Sequence, residues 1–442
     1  MLHYQFSNNK VSLEQLKLSK PLVSAMTAAG YLSPKEIQAR SMSRILGGQD
    51  IIAIGPEGCG KTTTYILGVL MRLKYGFEEA PRALILVPTR ERVEEVIAQF
   101  NLLNRNETIR IVGIHADGSM EAQINELTDG VDIVVAVPSR ARAVYLKLGL
   151  NTNKIQMLVV DDAADMVKLG MQLPINELAN SIQKCQHLIF TDVMHDRLDL
   201  MIEPFMKLPT TIEVEELEEN ETETYTQLLY HVPNFRTKLN LLNLLLKDAE
   251  VFEKVVVFVN TRLTAQTLSK DLFDGKANDI FVFKPLFFDE AGFDDIEDFK
   301  AVAEARVLIV ANEGLKEMDL TGIPFIFHFE LPVQKETYLN RVIKQDDDEV
   351  VAITFTTDLE LPQVRKIEQA IGQKIEVADL PEDLLVEEVT KAKAHKNKML
   401  AEQEDEENFR DAAYHKRKES NSKTTNFGIG QKAIMNKKKK HG

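Results

Sequence analysis

The sequence predicts an α/β fold built as two tandem domains, each around a parallel sheet, followed by a disordered basic tail. Three observations carry that prediction. Short β-branched apolar runs occur without polar alternation, which is the pattern of strands buried on both faces of a parallel sheet. Longer stretches of helical periodicity separate them and are long enough for the right-handed crossovers that parallel strands require. The same rhythm resumes after an acidic interval, and 442 residues, 44% hydrophobic, suffice for two domains of ordinary size.

Taken in order, residues 50–54, 83–87, 109–114, 133–137, 158–160 and 187–190 read as buried strands of the first domain, with helices such as 62–74 and 92–103 between them. This domain spans 1–208. Residues 209–226 are acidic and polar, with Glu213, Glu215, Glu216, Glu218, Glu219, Glu221 and Glu223, and read as a linker. The second domain, 227–377, has strands at 254–260, 306–311, 325–329 and 350–355. Residues 378–390 mix apolar and acidic positions and are expected to dock on the surface. From Lys391 onward too few apolar residues remain to fold alone.

Charge is unevenly placed. The chain is net -15, yet residues 391–442 hold 14 Lys plus Arg against 7 Asp plus Glu, which leaves the rest at -22. A tail ending Lys437, Lys438, Lys439 and Lys440 suits phosphate neutralisation on nucleic acid, or plain solubility. The acidic body repels bulk nucleic acid, so a groove for it must be local. Two cysteines, Cys59 and Cys185, exclude a disulfide framework or a clustered metal site and fit a reducing cytoplasm. No signal peptide or membrane span is expected from the apolar runs.

Gly55, Pro56, Glu57, Gly58, Cys59, Gly60, Lys61 and Thr62 match G-x-x-x-x-G-K-[ST] without a gap, between a predicted strand and a predicted helix. Glycines let backbone N–H groups wrap phosphates, and the helix N-terminus adds a positive dipole end. Lys61 is placed to reach the outer phosphates, Thr62 to hold magnesium, and Thr63 to complete the cradle.

Around this loop, Gly30, Tyr31, Pro34, Ile37 and Gln38 upstream, and Pro88, Thr89, Arg90 and Glu91 downstream, stand in the order and spacing of the DEAD-box RNA helicases. The chain resembles that family over residues 13–355. The resemblance implies two RecA-like domains with ATP and Mg2+ in the cleft between them and RNA, single-stranded or in short duplexes, across both. It gives Gln38 to the adenine, Asp161 to the metal and Asp319 to the ribose. Pro88, Thr89, Arg90, Pro138, Arg140 and Arg262 fall to the RNA, and Arg341 with Lys344 to the phosphates as arginine finger and its partner. An amide can pair both ways with an adenine edge, and an arginine beside a threonine suits a phosphate.

The departures are as informative. The family's Asp-Glu-Ala-Asp is matched by Asp161, Asp162, Ala163 and Ala164, so the water-orienting carboxylate is one methylene shorter and the last Asp is gone. Met166, Gly170 and Met171 keep the family's spacing only in that register. Val137, Pro138, Ser139 and Arg140 replace Thr-Pro-Gly-Arg, and Thr191, Asp192 and Val193 replace Ser-Ala-Thr, the segment that couples hydrolysis to unwinding in the family. In the second domain, 283–293 lacks an expected Gln and Arg; Ala311, Asn312, Lys316 and Glu317 replace other motif residues, as do Asn340 and Lys344. Leu13 stands where an adenine-stacking aromatic is usual, with Phe6 nearby. The expectation is a slow, monomeric RNA-remodelling ATPase in the cytoplasm. The alternative is a non-catalytic ATP-gated clamp or scaffold in RNA or ribosome assembly, and a more remote one is another P-loop NTPase.

Overall fold

The computed structural model describes residues 12–73, 80–215, 222–272, 278–285, 292–315, 318–344 and 349–387. The first sheet has seven parallel strands: β1 Ile51–Ile54, β2 Ala83–Leu86, β3 Ile111–Ile114, β4 Ile133–Ala136, β5 Met157–Val160, β6 Gln186–Thr191 and β7 Thr210–Glu213. Their order is β3-β4-β2-β5-β6-β1-β7. Alternate side chains feed two cores. Ile51, Ala53, Ile85, Val135, Val159 and Phe190 point one way, and Ile52, Ile54, Leu84, Val134, Leu158 and Ile189 the other. Burial on both faces is why these strands carry no polar alternation.

Helices α1 Lys20–Ala28, α2 Glu36–Leu46, α3 Lys61–Arg72 and α4 Arg90–Leu103 cover the first face. The second is covered by α5 Met120–Thr128, α6 Pro138–Leu146, α7 Ala163–Lys168, α8 Gln172–Ser181 and α9 Asp196–Ile202. Caps set several helix starts: Thr89 Oγ1 accepts from Arg92 N at 3.2 Å, and Ser119 Oγ from Ala122 N at 3.4 Å. Ahead of α1, Leu13 is 5% exposed in the first core, so its side chain serves packing. Phe6 lies outside the described residues.

The second sheet repeats the plan with eight strands in the order β11-β10-β12-β9-β13-β14-β8-β15. They are β8 Thr226–His231, β9 Val255–Val259, β10 Ile280–Phe283, β11 Gly292–Phe293, β12 Val307–Ala311, β13 Phe325–His328, β14 Val351–Thr356 and β15 Glu376–Val377. All its ladders are parallel. Five helices pack on it: α10 Phe235–Leu246, α11 Arg262–Asp271, α12 Ile296–Ala301, α13 Lys335–Val342 and α14 Leu361–Ile371.

The acidic interval is shorter than its composition suggests. Thr210–Glu213 pairs in parallel with β1, Ile51 opposite Thr210, and Ile212 is buried while Glu213 faces out. A β-branched edge strand with an acidic outer face looks like a linker when only its average polarity is weighed. At the far end, Tyr225 N bonds to Val342 O at 2.9 Å and Thr226 already belongs to β8. Residues 216–221 lie outside the described residues. After β15, Leu384 is buried in the core of the second sheet, and Asn240 Nδ2 donates to Leu385 O at 2.8 Å. The basic tail from 391 lies outside the described residues.

Candidate nucleotide-binding and catalytic site

Neighbouring strands β1, β6 and β5 each hand a residue to the carboxyl edge of the first sheet, where ligands of open α/β sheets bind. Ile54 is in register with Thr191, and Ile189 with Val160, so Gly55, Asp192 and Asp161 emerge side by side. Between β1 and α3 the loop turns sharply through Gly58 at φ 83° and Gly60 at φ 98°. Gly55 has no room for a side chain, since a Cβ there would lie 2.7 Å from Val214 Cγ2 and 2.8 Å from Cys59 Sγ. Pro56 is half-buried, Glu57 and Gly58 are exposed, and Cys59 is buried. Thr62 and Thr63 open α3, whose N-terminus faces the loop.

Lys61 is only 7% exposed. Its ammonium donates to Gly55 O at 2.5 Å and Pro56 O at 3.0 Å, and it is ion-paired with Asp192. The residue that replaces the middle of Ser-Ala-Thr is therefore the counter-ion of the loop lysine. Thr191 Oγ1 donates to Val193 O at 2.9 Å, which keeps the strand end turned.

Asp161 is fully buried. Its Oδ2 accepts from Tyr65 Oη at 2.8 Å and from Arg92 Nη2 at 2.9 Å, and its Oδ1 from Asp162 N at 3.1 Å. Asp162 begins α7 in the left-handed region, φ 51° and ψ 46°, a conformation that costs a non-glycine residue about 1–2 kcal/mol. Burial first, and the adjacent Asp161 second, hold its carboxyl above the usual carboxylate range against the pull of Arg92. Ala163 and Ala164 are buried in the helix beneath, so Ala164 brings no polar group to the site.

Arg92 is the residue that motif matching missed. It lies one position beyond Pro88–Glu91, and its guanidinium bridges Thr62 Oγ1 at 2.6 Å, Asp161 at 2.9 Å and Asp162 Oδ2 at 3.1 Å. Arg-to-carboxylate spacing along the chain carries no hint of this contact, which depends on α4 crossing in front of α3.

Gln38 is buried beside the loop, its Nε2 3.1 Å from where a Cβ of Gly60 would sit. Its Oε1 accepts from Lys35 N at 3.0 Å, so the amide is oriented by the start of α2. From the second domain, Lys366 on α14 reaches Glu57 Oε2 at 3.3 Å, and Gln369 Nε2 donates to Glu57 O at 3.1 Å. Burial alone would lower the Lys366 pKa; Glu57 and, further off, Asp192 and Asp165 raise it.

Arg341 is not brought to the loop. It is 9% exposed, its guanidinium carbon lies 3.5 Å from the centroid of the Phe258 ring, and Nη2 donates to Asn312 Oδ1 at 2.7 Å. Burial draws its pKa down to about 9, which leaves it charged at neutral pH. It borders a cavity of about 970 Å³ over the ends of β9 and β12, with Asn260, Asn312, Asp319 and Asn340. Asp319 is exposed and accepts from Thr321 N at 3.0 Å and Thr321 Oγ1 at 2.7 Å, and Lys344 is exposed further along. Lys316 and Glu317 lie outside the described residues.

The residues expected on RNA form a separate group. Pro88 and Thr89 follow β2, Pro138 opens α6 after β4, and two arginines converge on the loop after β3. Arg90 Nη1 donates to Asp117 Oδ2 at 2.8 Å and Arg140 Nη2 to Gly118 O at 2.6 Å. Arg262 is exposed at the start of α11 in the second domain.

Residues 35–199 match the DEAD/DEAH box helicase family, a span running from the cap of α2 to α9. RNA helicase CrhR of Synechocystis sp. is 25% identical over 378 residues, 84% of this chain and 75% of that protein. Among solved structures, a DEAD box protein from the hyperthermophile Methanococcus jannaschii is 21% identical, covering 83% of this chain and 99% of that one at a TM-score of 0.46. The yeast DEAD-box splicing factor Prp28 is 19% identical, with coverage of 81% and 86% and a TM-score of 0.48. The phosphate loop, the Pro-Thr-Arg-Glu segment and the strand-end aspartates all lie inside the span that matches the DEAD/DEAH box helicase family, and the similarity to an RNA helicase extends over most of the chain.

Proposed function

We propose that the chain is an ATP-dependent RNA helicase that remodels short RNA duplexes and turns over slowly. The observation that carries this is the convergence of Lys61, Asp161, Asp162 and Asp192 at three adjacent strand ends beside the loop of Gly55–Thr62. In this reading the loop amides and the α3 N-terminus hold the phosphates, and Gln38 lies beside the adenine. Lys61 exchanges Asp192 for the outer phosphates. Asp162 orients the attacking water, and Arg90, Arg140 and Arg262 grip the RNA backbone.

Slowness follows from reach. A catalytic group displaced by about 1 Å can cost roughly 100-fold, and Asp162 is one methylene shorter than a glutamate. An arginine finger is worth on the order of 10³–10⁵ in rate, yet Arg341 packs on Phe258 and donates to Asn312, and the second-domain cation seen in contact with a loop residue is Lys366. A lysine offers a point charge where an arginine offers a planar fork.

Mg2+ is the family's metal, and Thr62 and Asp161 are its expected ligands here. Those two oxygens instead receive the Arg92 guanidinium, so the site as built does not fit a divalent ion.

Release of a labelled strand from a short RNA duplex with a single-stranded overhang tests the proposal. ATP should promote release by the wild-type protein but not by Lys61→Ala. Equal release by the two proteins would sink it.

A further inference from the structure

The cation that the phosphate site needs is already present in the chain. Resting on the reading of Gly55–Thr62 as an ATP site, we propose that Arg92 takes the place of a divalent metal there, so that this protein binds nucleoside triphosphate without Mg2+. The guanidinium nitrogen Nη2 lies between Thr62 Oγ1 at 2.6 Å and Asp161 Oδ2 at 2.9 Å. These are the oxygens a metal would use, at ligand lengths of about 2.0–2.1 Å. An ion bound to both would have to displace the guanidinium from the same two oxygens.

This placement is built into the helix. Thr89 caps α4, and Val93, Val96 and Phe100 are buried in the core, so the first turn presents Arg92 to the cleft. Nε faces Asp162 Oδ2 at 3.1 Å, which ties both strand-end carboxylates to one side chain. Asp161, Asp162 and Asp192 thus face Lys61 and Arg92, three carboxyl groups against two cations. A dication is not required to make that cluster tolerable.

Arg92 also retains a hand for the ligand. Its Nη1 reaches Glu95 Oε2 at 3.1 Å, and Glu95 is 61% exposed. Glu95 is the exposed and readily solvated partner of this i,i+3 pair, so a phosphate oxygen in the cleft can displace it. A guanidinium suits this task because it presents five N–H donors in a plane and does not lose its charge in a protein. It can bridge hydroxyl, carboxylate and phosphate together, as a metal does.

The test is equilibrium binding of a fluorescent ATP analogue to the full chain, once in EDTA and once in excess Mg2+. Wild-type affinity should change by less than about threefold between the two conditions, a shift well below one decade of binding constant. Arg92→Leu should bind at least about tenfold more weakly in EDTA and recover with Mg2+, because the freed oxygens can then take the ion. Arg92→Lys, which keeps the charge but not the fork and guards against misfolding of the leucine variant, should fall between. A tenfold loss for the wild type in EDTA would overturn the proposal, as would identical behaviour of wild type and Arg92→Leu. Absence of binding even with Mg2+ would instead remove the ATP reading, and the proposal with it.

Discussion

Asp192 follows β6 by a single residue and carries the counter-charge of Lys61, in a place where the sequence shows only the loss of Ser-Ala-Thr. In the proposed function, ATP entering the loop has to displace this carboxylate and then tolerate it nearby. Asp192→Ala should therefore bind ATP more tightly, by about tenfold or roughly 1.4 kcal/mol, in a calorimetric titration. Unchanged or weaker binding would show that Asp192 does not compete with phosphate. The loop residues themselves were legible because their chemistry is local: glycines, a lysine and a helix start in one short pattern. Asp192 and Arg92 were not, because their partners are distant in sequence and meet only through the order of β5, β6 and β1 and the crossing of α4. The same reason explains Arg341. Its motif position pointed to phosphate, but its guanidinium stacks on the Phe258 ring and Nη2 donates to Asn312, while Nη1 is buried without a hydrogen-bond partner.

Among elements, most of the long apolar strands and amphipathic helices could be read directly, since burial on both faces removes polar alternation. The interior strands Thr226–His231 and Ile280–Phe283 and the short edge strands could not. Thr210–Glu213 is hidden by its acidic neighbours, and the two-residue strands Gly292–Phe293 and Glu376–Val377 carry no period at all. Close helix contacts were equally silent. Gly68 on α3 lets α2 approach so nearly that a Cβ would lie 2.5 Å from Ile45 Cγ2, and Ile45 is fully buried. Gly68→Val should destabilise the first domain by about 1–3 kcal/mol, the usual cost of overpacking a filled core. Urea melts followed by circular dichroism would register this as a lower midpoint. An unchanged midpoint would mean that α2 and α3 separate without cost.

For the whole molecule, repetition of the α/β rhythm announced two parallel sheets, but it did not reveal which second-domain side chain faces the loop. Lys366 and Gln369 both meet Glu57 beside the cradle, while Arg341 borders the separate cavity over β9 and β12. Chemistry at the first sheet and RNA contacts on both domains have to work together for the proposed activity, and a two-domain ATPase of this kind should respond to RNA. Phosphate release from ATP, measured with and without single-stranded RNA for the wild type and Lys61→Ala, tests this most directly. The account predicts slow wild-type turnover that RNA stimulates and that Lys61→Ala abolishes. Turnover indifferent to RNA, or equal in the two proteins, would contradict it.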